Sequence, residues 1–292
     1  MTALSIQPIP YQGSKRALAP RICRHFPGGV KTLYEPFAGS AAVTLYAAHH
    51  EMAEHFVIGD VHPDLMGLWH LIINEPAALV DAYGAIWRAQ FDAGLGHFNS
   101  VRAAYNADRD PVKLLYLIAR SVKNAVRFNS KGQYSQSPDK RRTGMQPERL
   151  ERSALAVSKL LKGRVTLFTG DFQDCMADAG RGDLVYMDPP YQGTTYSSDR
   201  RYAQQLERQR LIEGLMALNA RGTPFILSYD GQTGDKTYGE PLPATLELDH
   251  LQLAAGRSSQ ATLSGRNQET IESLYLSKAL RTFDITALAG AA

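Results

Sequence analysis

The stretch Asp183-Leu184-Val185-Tyr186-Met187-Asp188-Pro189-Pro190-Tyr191 constrains this chain more than any other. Its apolar run reads as a buried strand. Two successive prolines stop that strand, because proline has no N–H for a ladder and a fixed φ. A carboxylate, a stiff turn and an aromatic ring therefore sit together at the C-terminal edge of a sheet, where open α/β folds bind ligands. The plainer reading is an ordinary strand-to-loop turn with an exposed aspartate, since Asp-Pro pairs are common in turns.

Such a corner suits methyl transfer to an aromatic amine. The exocyclic amine of a base is a poor nucleophile because its lone pair is delocalised into the ring. A carboxylate at Asp188 and the carbonyl of Pro189, both held rigidly, can each accept one of its hydrogens and so localise the lone pair. Tyr191 can stack on a base taken out of the helix. Positioning and electrostatics supply the rate, with no covalent intermediate.

Composition sets the frame. The chain has 292 residues, 44% hydrophobic and 21% charged, as in a soluble globular protein. No apolar stretch is long enough to span a bilayer, and Met1-Thr2-Ala3-Leu4-Ser5 is no signal peptide, so a cytoplasmic protein is expected. Cys23 and Cys175 give neither metal spacing nor a disulfide framework. The net charge of +3 permits a nucleic-acid partner without demanding one.

Taken in order, Ile9-Pro10-Tyr11-Gln12-Gly13-Ser14-Lys15 is a turn before a predicted helix from about Arg16 to His25, able to place Lys15 near an anion. A strand then runs through Thr32-Leu33-Tyr34-Glu35 into the small-residue turn Pro36-Phe37-Ala38-Gly39-Ser40-Ala41, and a helix follows. The glycine fingerprint of dinucleotide sites is absent. Val57-Ile58-Gly59-Asp60 is a second strand ending in an acid, roughly twenty residues past Gly39, the spacing of a ribose-binding carboxylate. His62 has no partners at metal spacing and reads as a loop or helix-cap residue.

From Asp64 to about Ala125 apolar residues recur at helical spacing, with Leu65, Trp69, Ile72, Tyr83, Leu114 and Ile118 as core. The run Arg127-Phe128-Asn129-Ser130-Lys131-Gly132-Gln133-Tyr134-Ser135 carries hairpin signals and continues to the basic Lys140-Arg141-Arg142. Arg, Asn and Gln are the residues that read base edges, Lys and Arg clusters bind phosphate, and a two-stranded ribbon fits the major groove. Arg164 to Phe168 is a strand expected beside the Asp188 strand, and Asp171 after it is placed to accept from an adenine amine. Gln192 to Ser198 reads as a lid, Leu206 to Leu218 as an amphipathic helix, Pro224 to Gly231 and Glu272 to Leu276 as strands, and Arg257 as a phosphate contact or a surface turn.

In this order the motifs resemble the DNA adenine methyltransferases of the Dam type, from Tyr11 to about Leu276. Tyr11 through Lys15 is similar to that family's N-terminal cofactor motif, Glu35 through Ser40 to its S-adenosyl-L-methionine loop, Asn124 through Pro138 to its DNA-reading hairpin, and Asp188 through Tyr191 to its catalytic motif. The resemblance implies an α/β fold: a Rossmann-like methyltransferase mixed sheet from residues 1–61 and 165–292, and a helical target-recognition insertion over residues 62–164 with a hairpin at about 121–142. It implies Asp188, Pro189, Pro190 and Tyr191 as catalytic residues. Tyr11, Lys15, Glu35, Phe37, Gly39, Asp60, Asp171 and Asp188 are then expected around the cofactor, and no metal. Double-stranded DNA is the implied partner, met by Asn124, Arg127, Asn129, Lys131, Gln133, Tyr134, Ser135, Arg141, Arg142 and Arg257; a companion restriction enzyme is a further candidate partner. One departure is Ala41, where many members carry glycine; its methyl group is tolerable if φ stays negative.

The reading is thus transfer of a methyl group to the exocyclic amine of adenine in DNA. Its rivals are the same fold acting on the cytosine amine or on RNA, a catalytically silent DNA-binding regulator, and a nicotinamide-dependent oxidoreductase. The intact Lys15 and Asp188 motifs disfavour the second, and the missing glycine fingerprint the third.

Overall fold

The structure is a computed structural model that describes residues 6–190, 208–233, 236–238, 241–257 and 269–283. Its eight described strands are β1 (Val30–Glu35), β2 (Ala53–Asp60), β3 (Val165–Thr169), β4 (Leu184–Met187), β5 (Phe225–Thr233), β6 (Lys236–Tyr238), β7 (Asp249–Arg257) and β8 (Glu269–Leu276). They form one mixed sheet in the order β3-β2-β1-β4-β5-β8-β7, with β6 paired on β5. β1 to β5 run parallel, and β8 lies antiparallel between β5 and β7. This is the expected Rossmann-like mixed sheet.

One pairing differs from expectation. β3 pairs with β2, Phe56 opposite Val165, and not with β4, which instead lies between β1 and β5. The sheet grows outward from β1 through β2 to β3, then restarts on the other side of β1. Closeness in sequence therefore does not make β3 and β4 neighbours.

Alternation along the buried strands feeds two cores. Leu33, Phe56, Ile58, Leu184 and Tyr186 face one side, and Tyr34, Val57, Val185 and Met187 face the other. The first side is covered by α1 (Ala19–Ile22), α2 (Ala42–His49), α3 (Pro63–Asn74), α4 (Pro76–Ala93), α5 (Leu95–Asp108), α6 (Pro111–Arg120) and α7 (Pro147–Leu161); the second by α8 (Phe172–Cys175) and α9 (Arg208–Arg221). Pro63, Pro76, Pro111 and Pro147 each open a helix at the position where a missing N–H costs nothing. The predicted helix at Arg16–His25 is three short pieces, because Pro20 cannot donate to the preceding turn. α3 packs on β2 and β3, and α7 on α2 and α3, so the helical block shares a core with the sheet. No helix among the described residues is long and apolar enough to cross a membrane.

The hairpin is looser than a ribbon. Its two bridges pair Ser121 with Pro138 and Phe128 with Tyr134. At the tip, Gly132 N–H donates to the Asn129 carbonyl and Asn129 N–H to the Gln133 carbonyl, both at 2.9 Å, with Gly132 at φ 70°. That is a three-residue loop closed by a left-handed glycine. Asn129 Oδ1 accepts from Lys131 N and Gln133 N and fixes the turn from inside.

Two residues expected at DNA belong to the packing. Tyr134 is buried, edge-on to Tyr105 and Phe128, with its hydroxyl 2.7 Å from Ser121 Oγ. A phenol with a nearby partner gains more from burial than from exposure. Asn124 lies at φ 53°, and its amide donates to the carbonyls of Ile118 and Ala119, satisfying the end of α6.

Ala41 is also a correction: its φ is 45°, in the left-handed region. A side chain there costs about 1–2 kcal/mol, against about 0.4–1 kcal/mol for the greater unfolded-state freedom of glycine. Ala41→Gly should therefore stabilise the protein by about 0.5–1 kcal/mol in denaturant titration; a drop in midpoint would contradict the strain. Tyr134→Phe should cost about 1–2 kcal/mol by leaving Ser121 unpaired, with DNA affinity at the parental level. An affinity loss without a stability loss would return Tyr134 to the interface.

Candidate active site

β1, β2 and β4 end at one edge, and each delivers a carboxylate: Glu35, Asp60 and, one residue past β4, Asp188. β1 and β4 are neighbours from which the chain leaves in opposite directions, so the edge opens at a topological switch point. A cavity of about 280 Å³ lies there. Tyr11, Lys15, Glu35, Phe37, Gly39, Asp60, Asp171, Asp188, Pro189 and Pro190, all predicted from sequence, line it. Tyr191 and the Gln192–Ser198 lid lie outside the described residues.

The turn after β1 is held on several sides. Ala38 N donates to the Gly59 carbonyl at 2.8 Å, Gly39 N to Asp60 Oδ2 at 3.2 Å, and Trp69 Nε1 to the Gly39 carbonyl at 3.1 Å. Ser40 Oγ donates to Ser14 Oγ at 2.8 Å, tying the turn to the N-terminal motif. Gly39 has φ 49°, and a Cβ there would stand 3.4 Å from the Tyr11 ring. The left-handed backbone favours glycine here, and a Cβ would rest in contact with the Tyr11 ring. Ala41 offers α2 no side-chain cap; Glu35 Oε2 accepts from Thr44 N at 2.8 Å instead and closes the helix from the strand end.

Electrostatics distinguish the edge. Lys15, buried in its first helical turn, has Nζ 3.0 Å from Asp188 Oδ1 and 2.9 Å from Glu272 Oε2. Burial pushes the Asp188 carboxyl up to about 6; Lys15 opposes the rise and Glu272 adds to it. Burial likewise raises Asp60 to about 6, against hydrogen bonds from His62 and Gly39, and Glu35 to about 7, against those from Thr44. Carboxylates this reluctant to ionise mark a place withdrawn from water, as functional clefts often are.

The far wall is aromatic. Phe37 stacks on Phe172 with centroids 5.1 Å apart. Asp171 caps α8 through Gln173 N at 3.0 Å and pairs with Arg210 Nη2 at 2.8 Å. Arg210 also lies over the Phe172 ring.

The basic segment sits beside the cavity. Val126 lines it, and Gln12 N donates to the Asn124 carbonyl at 3.1 Å. The His62 ring packs on Phe128 while His62 N donates to Asp60 Oδ1 at 3.0 Å, so one residue touches both parts. His62 occupies the cap position of α3 but caps nothing with its ring. Asn129, Lys131, Gln133, Ser135, Arg141 and Arg142 are exposed. The Asn129 and Gln133 amides bond each other at 3.1 Å, and Arg141 and Arg142 flank the Asp139 carboxylate. Arg127 is half-buried, its carbonyl accepting from Ser135 N at 2.9 Å. Arg257 ends β7.

Sequence reasoning missed Glu272, Arg210, Phe172 and the Ser14–Ser40 bond. Arg210 lies on the helix predicted over Leu206–Leu218, but nothing local says which of its cations turns to Asp171. Glu272 reaches Lys15 only through antiparallel pairing.

Comparison with known proteins gives this geometry its family. The retron Ec67 DNA adenine methylase of Escherichia coli is 26% identical over 224 residues, 75% of this chain and 75% of that protein. Type II methyltransferase M.FokI of Planomicrobium okeanokoites is 25% identical over 283 residues, 92% of this chain and 42% of that protein. The DNA N-6-adenine-methyltransferase of Escherichia phage P1 is 26% identical over 234 residues, 76% of this chain and 29% of that protein. Against the last two, the chain thus matches less than half of the relative's length. Residues 11–262, most of the chain, match a single family model, and the chain belongs to the family it describes, the D12 class N6 adenine-specific DNA methyltransferases.

Proposed function

We propose that the cavity binds S-adenosyl-L-methionine and that Asp188 and the Pro189 carbonyl hold the amine of an adenine flipped out of double-stranded DNA. The observation that carries the reading is the crowding of Glu35, Asp60 and Asp188, all raised by burial, around one cavity. An edge with three carboxyl groups and one ammonium, Lys15, suits a ligand bearing an ammonium and a sulfonium. The stack of Phe37 on Phe172 offers an apolar wall for its purine, with Asp171 beside it.

Bound there, the cofactor supplies an electrophilic methyl group on sulfur. Asp188 and the Pro189 carbonyl each accept one hydrogen of the adenine amine. Both acceptors would gather the lone pair on nitrogen and aim it at that methyl group, and the proton the nitrogen loses would pass to solvent. Lys15 fixes the Asp188 carboxylate throughout. The pre-formed turn at Gly39 lets binding proceed without ordering that backbone. Lys131, Arg141 and Arg142 meet phosphates, Arg127 reads a base edge and Arg257 adds a phosphate contact, so binding weakens steeply with salt. On the likeness to the type II methyltransferase of Planomicrobium okeanokoites, the proposal extends to a companion restriction enzyme.

The first test is transfer of label from S-adenosyl-L-methionine to unmethylated DNA, followed by digestion to nucleosides. N6-methyladenine is expected; label on cytosine would overturn the reading. Asp188→Ala should abolish transfer and leave DNA binding in place, and transfer at the parental rate would remove Asp188 from catalysis. Asp188 accepts fully only when ionised, and its carboxyl stands at about 6. kcat/KM should therefore fall with one-proton slope as pH drops through about 6, and a profile flat down to pH 5 would contradict this. Arg127→Ala should cost about 1–3 kcal/mol at the cognate sequence alone; an equal loss on all sequences would mark a phosphate contact.

A further inference from the structure

Glu272 lies on β8, flanked by a strand on each side, in register with Gly231 of β5 and Leu253 of β7. A largely covered acidic side chain needs a partner. Its Oε2 stands 2.9 Å from Lys15 Nζ, whose other carboxylate contact is Asp188 Oδ1 at 3.0 Å. Lys15 is 6% exposed, so the ammonium is shared between two carboxylates with little water to screen it. Glu272 does not line the cavity, whereas Lys15 and Asp188 do.

We propose that Glu272 is a positioning residue for methyl transfer: acting through Lys15, it fixes the Asp188 carboxylate and keeps it a strong acceptor for the adenine amine. This rests on the reading that Asp188 holds that amine. With two carboxylates on one ammonium, neither is fully neutralised. Asp188 therefore keeps electron density for the incoming N–H, and the site keeps a negative charge near the nitrogen that turns positive in the transition state. Without Glu272 the ammonium would lean more closely on Asp188, and the carboxylate would become a weaker acceptor.

Among the described residues, the charged and titratable groups around Asp188 are Lys15 from the first helical turn, Glu272 from β8, Glu35 from the end of β1 and Tyr186 from its own strand. Glu272 is a like charge that makes Asp188 harder to ionise. Removing it moves the acid limb of kcat/KM to lower pH, although the rate on the plateau falls. A merely structural role would lower the rate or the Tm and leave the limb in place.

The experiment is single-turnover transfer and a kcat/KM pH profile for Glu272→Gln and Glu272→Asp, with Tm and cofactor and DNA affinities measured alongside. Glu272→Gln keeps the shape and loses the charge. A plateau rate lower by about tenfold, an acid limb at lower pH and unchanged affinities are expected. Glu272→Asp keeps the charge but withdraws it, so the limb should move the same way by less; it decides alone if the glutamine variant does not fold. A parental limb in either folded variant overturns the proposal, whatever its rate. Asp188→Ala separates the two levels. If it is inactive while the Glu272 variants keep the parental limb, only the role of Glu272 fails; if it is active, the reading of Asp188 fails and this inference with it.

Discussion

The structure depends on the parallel pairing of β1 with β4, Leu33 opposite Leu184 and Tyr34 opposite Val185. The two strands lie far apart in sequence, and the whole helical block is folded between them. In register, they bring Glu35 and Asp188 out at the same edge, where the chain leaves in opposite directions and opens a crevice. Both strands are covered on both faces, so a one-residue slip would send Leu33 and Tyr186 into the wrong core. Packing thus fixes where Glu35 and Asp188 leave the sheet.

That edge is costly to build. Carboxylates buried at the end of a sheet lose their hydration and resist ionisation, which is visible in the raised positions of Glu35, Asp60 and Asp188. The fold meets the cost with backbone N–H groups rather than with cations. Gly39 and His62 donate to Asp60 and Thr44 donates to Glu35, leaving Lys15 for Asp188 and Glu272. Hydrogen bonds from the backbone hold a carboxylate in place without cancelling its charge as an ion pair does. The edge keeps a negative field and stays ordered.

What was legible in the sequence follows from how local each feature is. Strands that end in an acid are written in a few residues, and so Glu35, Asp60 and Asp188 could be placed at the edge from sequence. The family motif supplied Tyr11 and Lys15, and Asp171 was read from its place after the Arg164–Phe168 strand. Pairing order is not local, which is why β3 was placed beside β4 and why Glu272, delivered by an antiparallel strand late in the chain, went unnoticed. Residue type misled at the hairpin. Tyr134 and Asn124 belong to the kinds of side chain that contact nucleic acid, yet Ser121 and the open end of α6 supply closer partners. Ala41 shows the converse limit: a residue identity says nothing of φ until the loop around it is built, and here the loop requires the left-handed region.

Charge is separated within a chain whose net charge is only +3, as the proposed pair of ligands of opposite sign would require. Lys131, Arg141 and Arg142 stand exposed on the segment outside the sheet, while Glu35, Asp60 and Asp188 are gathered at its edge. Intermixed, they would pair with each other and bind neither a cationic cofactor nor a phosphate backbone. The hairpin nonetheless touches the edge through neutral contacts: the His62 ring on Phe128, and the backbone bond of Gln12 to Asn124. Apolar and backbone contacts transmit position without transmitting charge. They let the cationic face be placed against the reacting edge while each keeps the field its ligand requires.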